Sequence, residues 1–333
     1  VPVNTSEYAE KAPGKGKREV MLPDEPLFSQ WTTCSREEIQ RWVLSWPEAT
    51  VLGWPYNGTR RWYMLRRREG LIREGYLRTL VRRQAEHHRL VFEHGVQVIL
   101  APSFGNETLK RGAEYTRAAL KGLTLLAEDD LYQAMVASGV RIGFYGDYRG
   151  VLDTTEYRPV LQILDDLAER SAGGGGPLLL FGLFADDPHP ELARLSVEFA
   201  RRTGYPPSRE QLVEEYYGHR VPDLSLYIGF ERPEMFDVPL LATGLENLYF
   251  TLNPSPDLSE TQLREILYDH FVTRRQPLPD YESLGEEALQ QLAHQHEAHR
   301  ETTVGTGELD RQSGLWRPRL HVPGLRGPKG DTM

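Results

Sequence analysis

Asn57-Gly58-Thr59-Arg60-Arg61-Trp62 is the segment whose residue types best suit chemistry in this chain. A glycine lets backbone N–H groups come close to an anion. Two arginines beside it can fork onto phosphate oxygens, and each charge-assisted pair is stronger than a neutral hydrogen bond. The segment follows an apolar run at residues 50–54 and lies upstream of a helical pattern, so it reads as a loop suited to a diphosphate. A solvated surface turn is the alternative that residue types alone leave open. The spacing matches neither a Walker loop nor a dinucleotide fingerprint. Cys34 is the single cysteine, which excludes a disulfide framework and a cysteine-rich zinc site. The pair His87-His88 and the group His294, His296 and His299 are expected to be solvated rather than zinc-bound.

The elements around the loop follow from periodicity. The 333 residues are 39% apolar and 26% charged, an ordinary globular mixture. The net charge of −9 argues against non-specific binding to nucleic acid or an anionic membrane, so an anionic ligand needs a local arginine cluster. No apolar run is long enough to span a membrane and no secretory signal pattern is evident, so a cytoplasmic location is expected. Residues 1–30 read as a disordered tail, 31–285 as a single catalytic domain, and 286–333 as a partly disordered extension. Ser35-Arg36-Glu37-Glu38 is a capping box opening a helix. Strands are predicted near residues 50–54, 96–100, 140–145, 178–184, 223–228 and 248–251, with helices between them. Apolar strands alternating with helices predict an α/β fold, a central mostly parallel six-stranded sheet covered by helices. Ligands in such sheets bind beyond the carboxyl ends of the strands, which groups the loops at 55–62, 101–107, 146–152 and 229–237.

The loop resembles the D-G-N-R-R-W segment of the cis-prenyltransferases, the undecaprenyl diphosphate synthase superfamily. Further matches run in order: Gly75-Tyr76, the stretch from Ser103 to Arg111, Gly146-Asp147-Tyr148-Arg149, Pro222-Asp223-Leu224 and Leu248-Tyr249-Phe250-Thr251. The departures fall where elongating members bind a second substrate, isopentenyl diphosphate. There the chain has Ile228, Phe230 and Glu234 in place of arginine, serine and arginine, and only Arg232 remains, out of register. A narrower resemblance, to the tuberculosinol synthase, tuberculosinyl adenosine transferase and kolavelool synthase-like diterpene synthases, fits both matches and losses. It rests on residues 54–62, Phe92-Glu93-His94-Gly95, Phe144–Tyr148, Ile228–Arg232, Phe236–Leu241, 265–270 and 277–281.

The resemblance implies a terpene synthase that ionises an allylic prenyl diphosphate, a cyclised C20 diphosphate, without elongation. Water then quenches the cation to a terpene alcohol. The alternatives are transfer to a nucleoside such as adenosine, or an impaired partner protein, because Asn57 stands where relatives carry aspartate. Asn57, Arg60, Arg61, Tyr76 and Tyr115 are the implied catalytic residues, and Gly58, Thr59, Trp62, Phe104, Glu107 and Arg232 the implied substrate-binding ones. Glu107 serves equally well as a helix N-terminal charge, and Tyr115 as a packed helix tyrosine. Phe104, Leu109 and apolar residues of 116–136 are candidates for a tunnel wall. Magnesium is implied, with Asn57 as a ligand, although Asn57 and Asn247 replace carboxylates. A homodimer is implied by the fold family.

Overall fold

The computed structural model describes residues 26–154, 156–277 and 279–319, excluding the side chains of Glu107 and Thr108. The expected tail falls outside these residues up to position 25. Within its last part, α1 (Phe28–Trp31) is already helical, and Trp31 is buried with its indole N–H donating to the Arg264 carbonyl at 2.8 Å.

The chain then runs through α2 (Arg36–Leu44), β1 (Val51–Gly53), α3 (Thr59–Arg68), α4 (Tyr76–Glu93) and β2 (Val98–Phe104). It continues with α5 (Glu107–Lys110), α6 (Ala113–Glu128), α7 (Asp130–Ala137), β3 (Arg141–Tyr145), α8 (Tyr148–Leu152), α9 (Arg158–Ser171) and β4 (Leu178–Leu183). The remainder is α10 (Pro188–Thr203), α11 (Arg209–Tyr217), β5 (Leu226–Phe230), β6 (Asn247–Thr251), α12 (Glu260–Phe271), α13 (Glu286–Ala298), β7 (Gly307–Leu309) and β8 (Trp316–Pro318). Strands β1 to β6 form one sheet in the order β3-β4-β2-β1-β5-β6, and every pairing in it is parallel. The all-apolar runs predicted this. β4 is buried along its whole length, as a strand covered on both faces must be.

The strand order fixes where a ligand can bind. The chain enters the sheet at β1, moves outward to β2 on one side, and later returns to β5 on the other. Leu52 pairs with both Ile99 and Leu226. The connections after β1 therefore diverge at its carboxyl end and leave a crevice, the switch point of an open parallel sheet. The 54–58 loop leads into that crevice.

Two elements, α3 and the His87–His88 pair, differ from expectation, and the extension from 286 gains detail. α3 begins inside the presumed loop, so Thr59 to Trp62 form its first turn. The expected extension from 286 contains α13, in which no residue is buried, and an antiparallel hairpin of β7 and β8. His87 and His88 are buried rather than solvated, at 2% and 0% exposure. The reason is that α4 is packed against more than one neighbour, with α3, α6 and α7 among them, so adjacent positions both face protein. His87 Nδ1 lies 2.7 Å from the Tyr56 hydroxyl and His88 Nδ1 3.1 Å from that of Tyr132. Burial pushes both imidazoles down to about 3, so they are neutral structural groups. The exposed His294, His296 and His299 agree with a solvated setting.

Candidate functional site

Gly58 sets the entry to α3. It adopts φ +74°, a left-handed conformation, and a Cβ there would come within 2.8 Å of both Phe230 and Pro254. The preceding loop is pinned to the 254–257 segment. Asn57 N–H donates to Ser255 Oγ at 3.0 Å, and Ser255 N–H returns a bond to the Asn57 carbonyl at 3.0 Å. Trp62 Nε1 donates to Asp257 Oδ1 at 3.0 Å, and Arg66 reaches the same oxygen at 2.8 Å. Trp62 thus anchors the first turn of α3 to the 254–257 segment. The first turn of α3 carries no acidic residue and no capping side chain, so the positive end of its dipole is uncompensated locally.

The two arginines of this turn diverge. Arg60 lies over the Tyr115 ring, 4.6 Å from its centroid. Arg111 lies 5.1 Å from the same centroid, and its Nη1 donates to the Tyr115 hydroxyl at 3.1 Å. One tyrosine therefore holds two guanidiniums together, and neither has a carboxylate partner among the described residues. Beside them Thr59 Oγ1 and the Tyr76 hydroxyl share a 2.8 Å hydrogen bond. Burial raises the Tyr76 phenol above its ordinary value, against the opposing pull of Thr59 and Arg60, so it keeps its proton and can donate it in a hydrogen bond.

Arg61 turns the other way. Its Nη1 and Nη2 each lie 2.8 Å from an oxygen of Glu231, a bidentate pair. The same guanidinium stacks 5.2 Å from the Phe230 ring centroid. Glu231 also accepts from Trp316 N–H at 3.3 Å, which brings β8 to the site. Arg61 holds the Glu231 carboxyl below the usual carboxylate range, chiefly through these hydrogen bonds. The two adjacent arginines of the turn are therefore not equivalent: Arg61 is paired with Glu231, and Arg60 has no carboxylate partner among the described residues.

The other sequence-predicted residues are placed as follows. Tyr76 and Tyr115 join Arg60, as Thr59 does. Phe104 ends β2, half-buried against the main core, together with Leu109. Leu120, Leu123 and Leu126, candidates for a tunnel wall, are no more than 3% exposed and belong to that core. Glu107 begins α5, and its side chain lies outside the described residues. Arg232 is exposed and lies within electrostatic reach of Glu231, on the Arg61 flank. Asp147 is exposed, and partial desolvation of its carboxyl raises it above the ordinary value. Arg111, Glu231 and Trp316 were absent from the predicted site. An Arg-x-x-x-Tyr spacing hinted at the first. Gly112, at φ +97°, separates α5 from α6 between Arg111 and Tyr115, so a continuous helical pattern could not show it.

Among the described residues, the protein alone does not supply a complete magnesium site. No group of three or more His, Cys, Asp or Glu suited to a metal occurs among the described residues. Asn57 offers a neutral amide. The Asn247 side-chain oxygen is 2.6 Å from His270 Nδ1, and Asp257 is engaged by Trp62 and Arg66.

No helix among the described residues is long and apolar enough to cross a membrane. No protein-family model matches the chain. Among solved structures it is similar to lavandulyl diphosphate synthase from Lavandula x intermedia in complex with dimethylallyl diphosphate, at TM-score 0.56 and 13% identity, covering 71% of this chain and 97% of that one. It is similar also to a probable undecaprenyl diphosphate synthase from Campylobacter jejuni, at TM-score 0.51 and 15% identity, covering 71% and 100%. These show the cis-prenyltransferase fold. In sequence it is 29% identical over 147 residues to (+)-kolavelool synthase of Herpetosiphon aurantiacus, 42% of this chain and 49% of that protein. It is 34% identical over 273 residues to tuberculosinyl adenosine transferase of Mycobacterium tuberculosis, 81% of this chain and 90% of that protein. With that identity sustained over most of both chains, the protein belongs to the tuberculosinyl adenosine transferase family and is an enzyme of the cis-prenyltransferase fold.

Proposed function

We propose that this enzyme ionises an allylic prenyl diphosphate, a cyclised C20 diphosphate, and quenches the cation with water to give a terpene alcohol. The observation that carries the ionisation is the pair Arg60 and Arg111 on one tyrosine ring, without a carboxylate partner among the described residues, at the open positive end of α3. That arrangement suits an anion whose charge grows as the bond breaks.

The chemistry is a heterolysis. The allylic C–O bond breaks, its electron pair leaves on the diphosphate oxygen, and the carbon is left cationic. Arg60 and Arg111 meet the developing charge, the protonated Tyr76 donates a hydrogen bond, and Tyr115 keeps the guanidiniums in place. Water adds through an oxygen lone pair, forming the new C–O bond, and gives up a proton to the released diphosphate.

Elongation is disfavoured by what replaces a second anion site. Ile228 is 1% exposed within the core, Phe230 packs on Gly58, and Arg61 is neutralised by Glu231. A second acceptor has its own support. The relative matched over the greater length is named for an adenosine transferase, so capture of the cation by a nucleoside nitrogen fits the same ionisation.

The test is to incubate the enzyme with bicyclic C20 diphosphates and with geranylgeranyl diphosphate, with and without magnesium and adenosine, while measuring diphosphate release and products. Release with a terpene alcohol as product supports water capture, and an adenosine adduct supports transfer. No release from any substrate sinks the proposal. Incorporation of labelled isopentenyl diphosphate would overturn the absence of elongation.

A further inference from the structure

We propose that Glu231 is a built-in counter-anion that competes with diphosphate for Arg61 and thereby sets how readily the released diphosphate leaves. This deepens the diphosphate reading above and rests on it.

The fork that Arg61 presents to Glu231, two parallel contacts of 2.8 Å, is the geometry in which a guanidinium grips two phosphate oxygens. The carboxylate thus occupies the hydrogen-bonding face that a ligand would use. It is also the fixed member of the pair. Glu231 takes φ +65°, a backbone conformation that residues other than glycine rarely adopt. It is held there by its N–H bond to the Thr251 carbonyl at 2.8 Å, and its carboxylate is further held by Trp316 N–H. Its side chain is 12% exposed, whereas that of Arg61 is 39% exposed. The arginine is therefore the partner able to exchange.

Arg60 and Arg61 both start from the first turn of α3, although their side chains diverge, to Tyr115 and to Glu231. A diphosphate seated on Arg60 and Arg111 gains a third guanidinium only if Arg61 leaves Glu231. The reaction releases diphosphate as a product, and a trianionic or tetra-anionic product held by three arginines leaves slowly. An internal carboxylate that reclaims one of them opposes that retention. A purely structural role predicts the opposite sign, because an Arg61 that needed Glu231 for its placement would bind anions less well without it.

The test uses full-length wild type, Glu231→Gln and Glu231→Asp. The aspartate variant keeps the charge but is one methylene too short for the fork. Binding of inorganic diphosphate is measured by titration calorimetry, and its inhibition constant in the diphosphate-release assay with a C20 diphosphate. The expected result is binding about tenfold tighter in Glu231→Gln, with a smaller gain in Glu231→Asp and a lower kcat where release limits turnover. Adding Arg61→Ala to Glu231→Gln should abolish the gain. Unchanged or weaker diphosphate binding in both variants, with wild-type circular dichroism and Tm, overturns the proposal. Absence of diphosphate binding in wild type and variants alike overturns the diphosphate reading itself, which separates the two failures.

Discussion

The two flanks of the crevice begin from adjacent residues of the same type and end in opposite electrostatic states. On the α4–α6 flank, Arg60 and Arg111 share the Tyr115 ring, with hydroxyls from Thr59 and Tyr76 nearby and no carboxylate partner among the described residues. On the β5 flank, Arg61 is matched by Glu231, stacked on Phe230 and linked to β8 through Trp316. An arginine held by a ring keeps its charge available to a ligand, because a quadrupole orients a cation without cancelling it. An arginine in a bidentate carboxylate pair has its charge largely answered already. The partner therefore decides which arginine serves as an anion site.

The sharpest way to break this comparison is to remove one arginine at a time. Arg60→Ala should lower kcat/KM for a C20 diphosphate by about 10²–10³-fold, the usual cost of losing a donor aimed at developing charge. Arg61→Ala should cost no more than about tenfold, because its charge is already paired in the resting enzyme. Steady-state kinetics of the two variants side by side provide the check, and equal losses would erase the distinction between the flanks. Next in size, Tyr76→Phe should reduce kcat about tenfold with little change in Tm, since it removes one hydrogen bond while the ring contact with Tyr63 remains. A loss confined to KM would instead place the hydroxyl in ground-state binding.

How far the sequence revealed this difference depended on which physical signal each residue left. The sheet was legible because its strands are apolar runs. α2 was legible from the Ser35 capping box, in which Glu38 answers the Ser35 N–H at 2.7 Å. α3 was not, because five of its ten residues are arginine, Met64 and Leu65 are exposed, and only Trp62 and Tyr63 are buried. Its helicity comes from the left-handed entry at Gly58 and from the Trp62 anchor on Asp257, neither of which leaves a periodic trace. α13 has no buried face to announce it. The site divided in the same way. Gly58, Arg60, Tyr76 and Tyr115 could be named from motif and resemblance. The pairing of Arg61 with Glu231 spans 170 positions and needs a parallel β1–β5 register to bring it about. The burial of both His87 and His88 likewise depends on the several neighbours around α4, which spacing along one helix does not report.

A smaller change tests whether the flanks depend on a common entry. Gly58→Ala forces a side chain into left-handed backbone, a cost on the order of 1–2 kcal/mol. It also drives a Cβ to 2.8 Å from Phe230 and Pro254. Thermal denaturation should show a lower Tm. Diphosphate affinity should fall through displacement of both arginines, and the Arg61–Glu231 pair should be disturbed first, because Arg61 stacks on Phe230, one of the two residues struck. A variant with wild-type Tm and wild-type diphosphate binding would mean that the loop does not set the arginines' positions.

The smallest expected effect concerns Asn57, which lies before both arginines and belongs to neither flank. Its backbone is pinned from both sides by Ser255, so exchanging its side chain leaves the loop path intact. Asn57→Asp adds a negative charge beside a site meant for an anion. Without divalent cations this should weaken diphosphate binding a few-fold, on the order of 1 kcal/mol for a like charge near the protein surface. Magnesium should reverse the penalty, because a carboxylate together with diphosphate oxygens presents the hard oxygen donors that magnesium takes, whereas the amide contributes no charge. Calorimetry of wild type and Asn57→Asp, each with magnesium and with chelator, measures the difference. If magnesium tightens the two proteins equally, residue 57 takes no part in holding a cation. The anion then relies on the Arg60 flank in both.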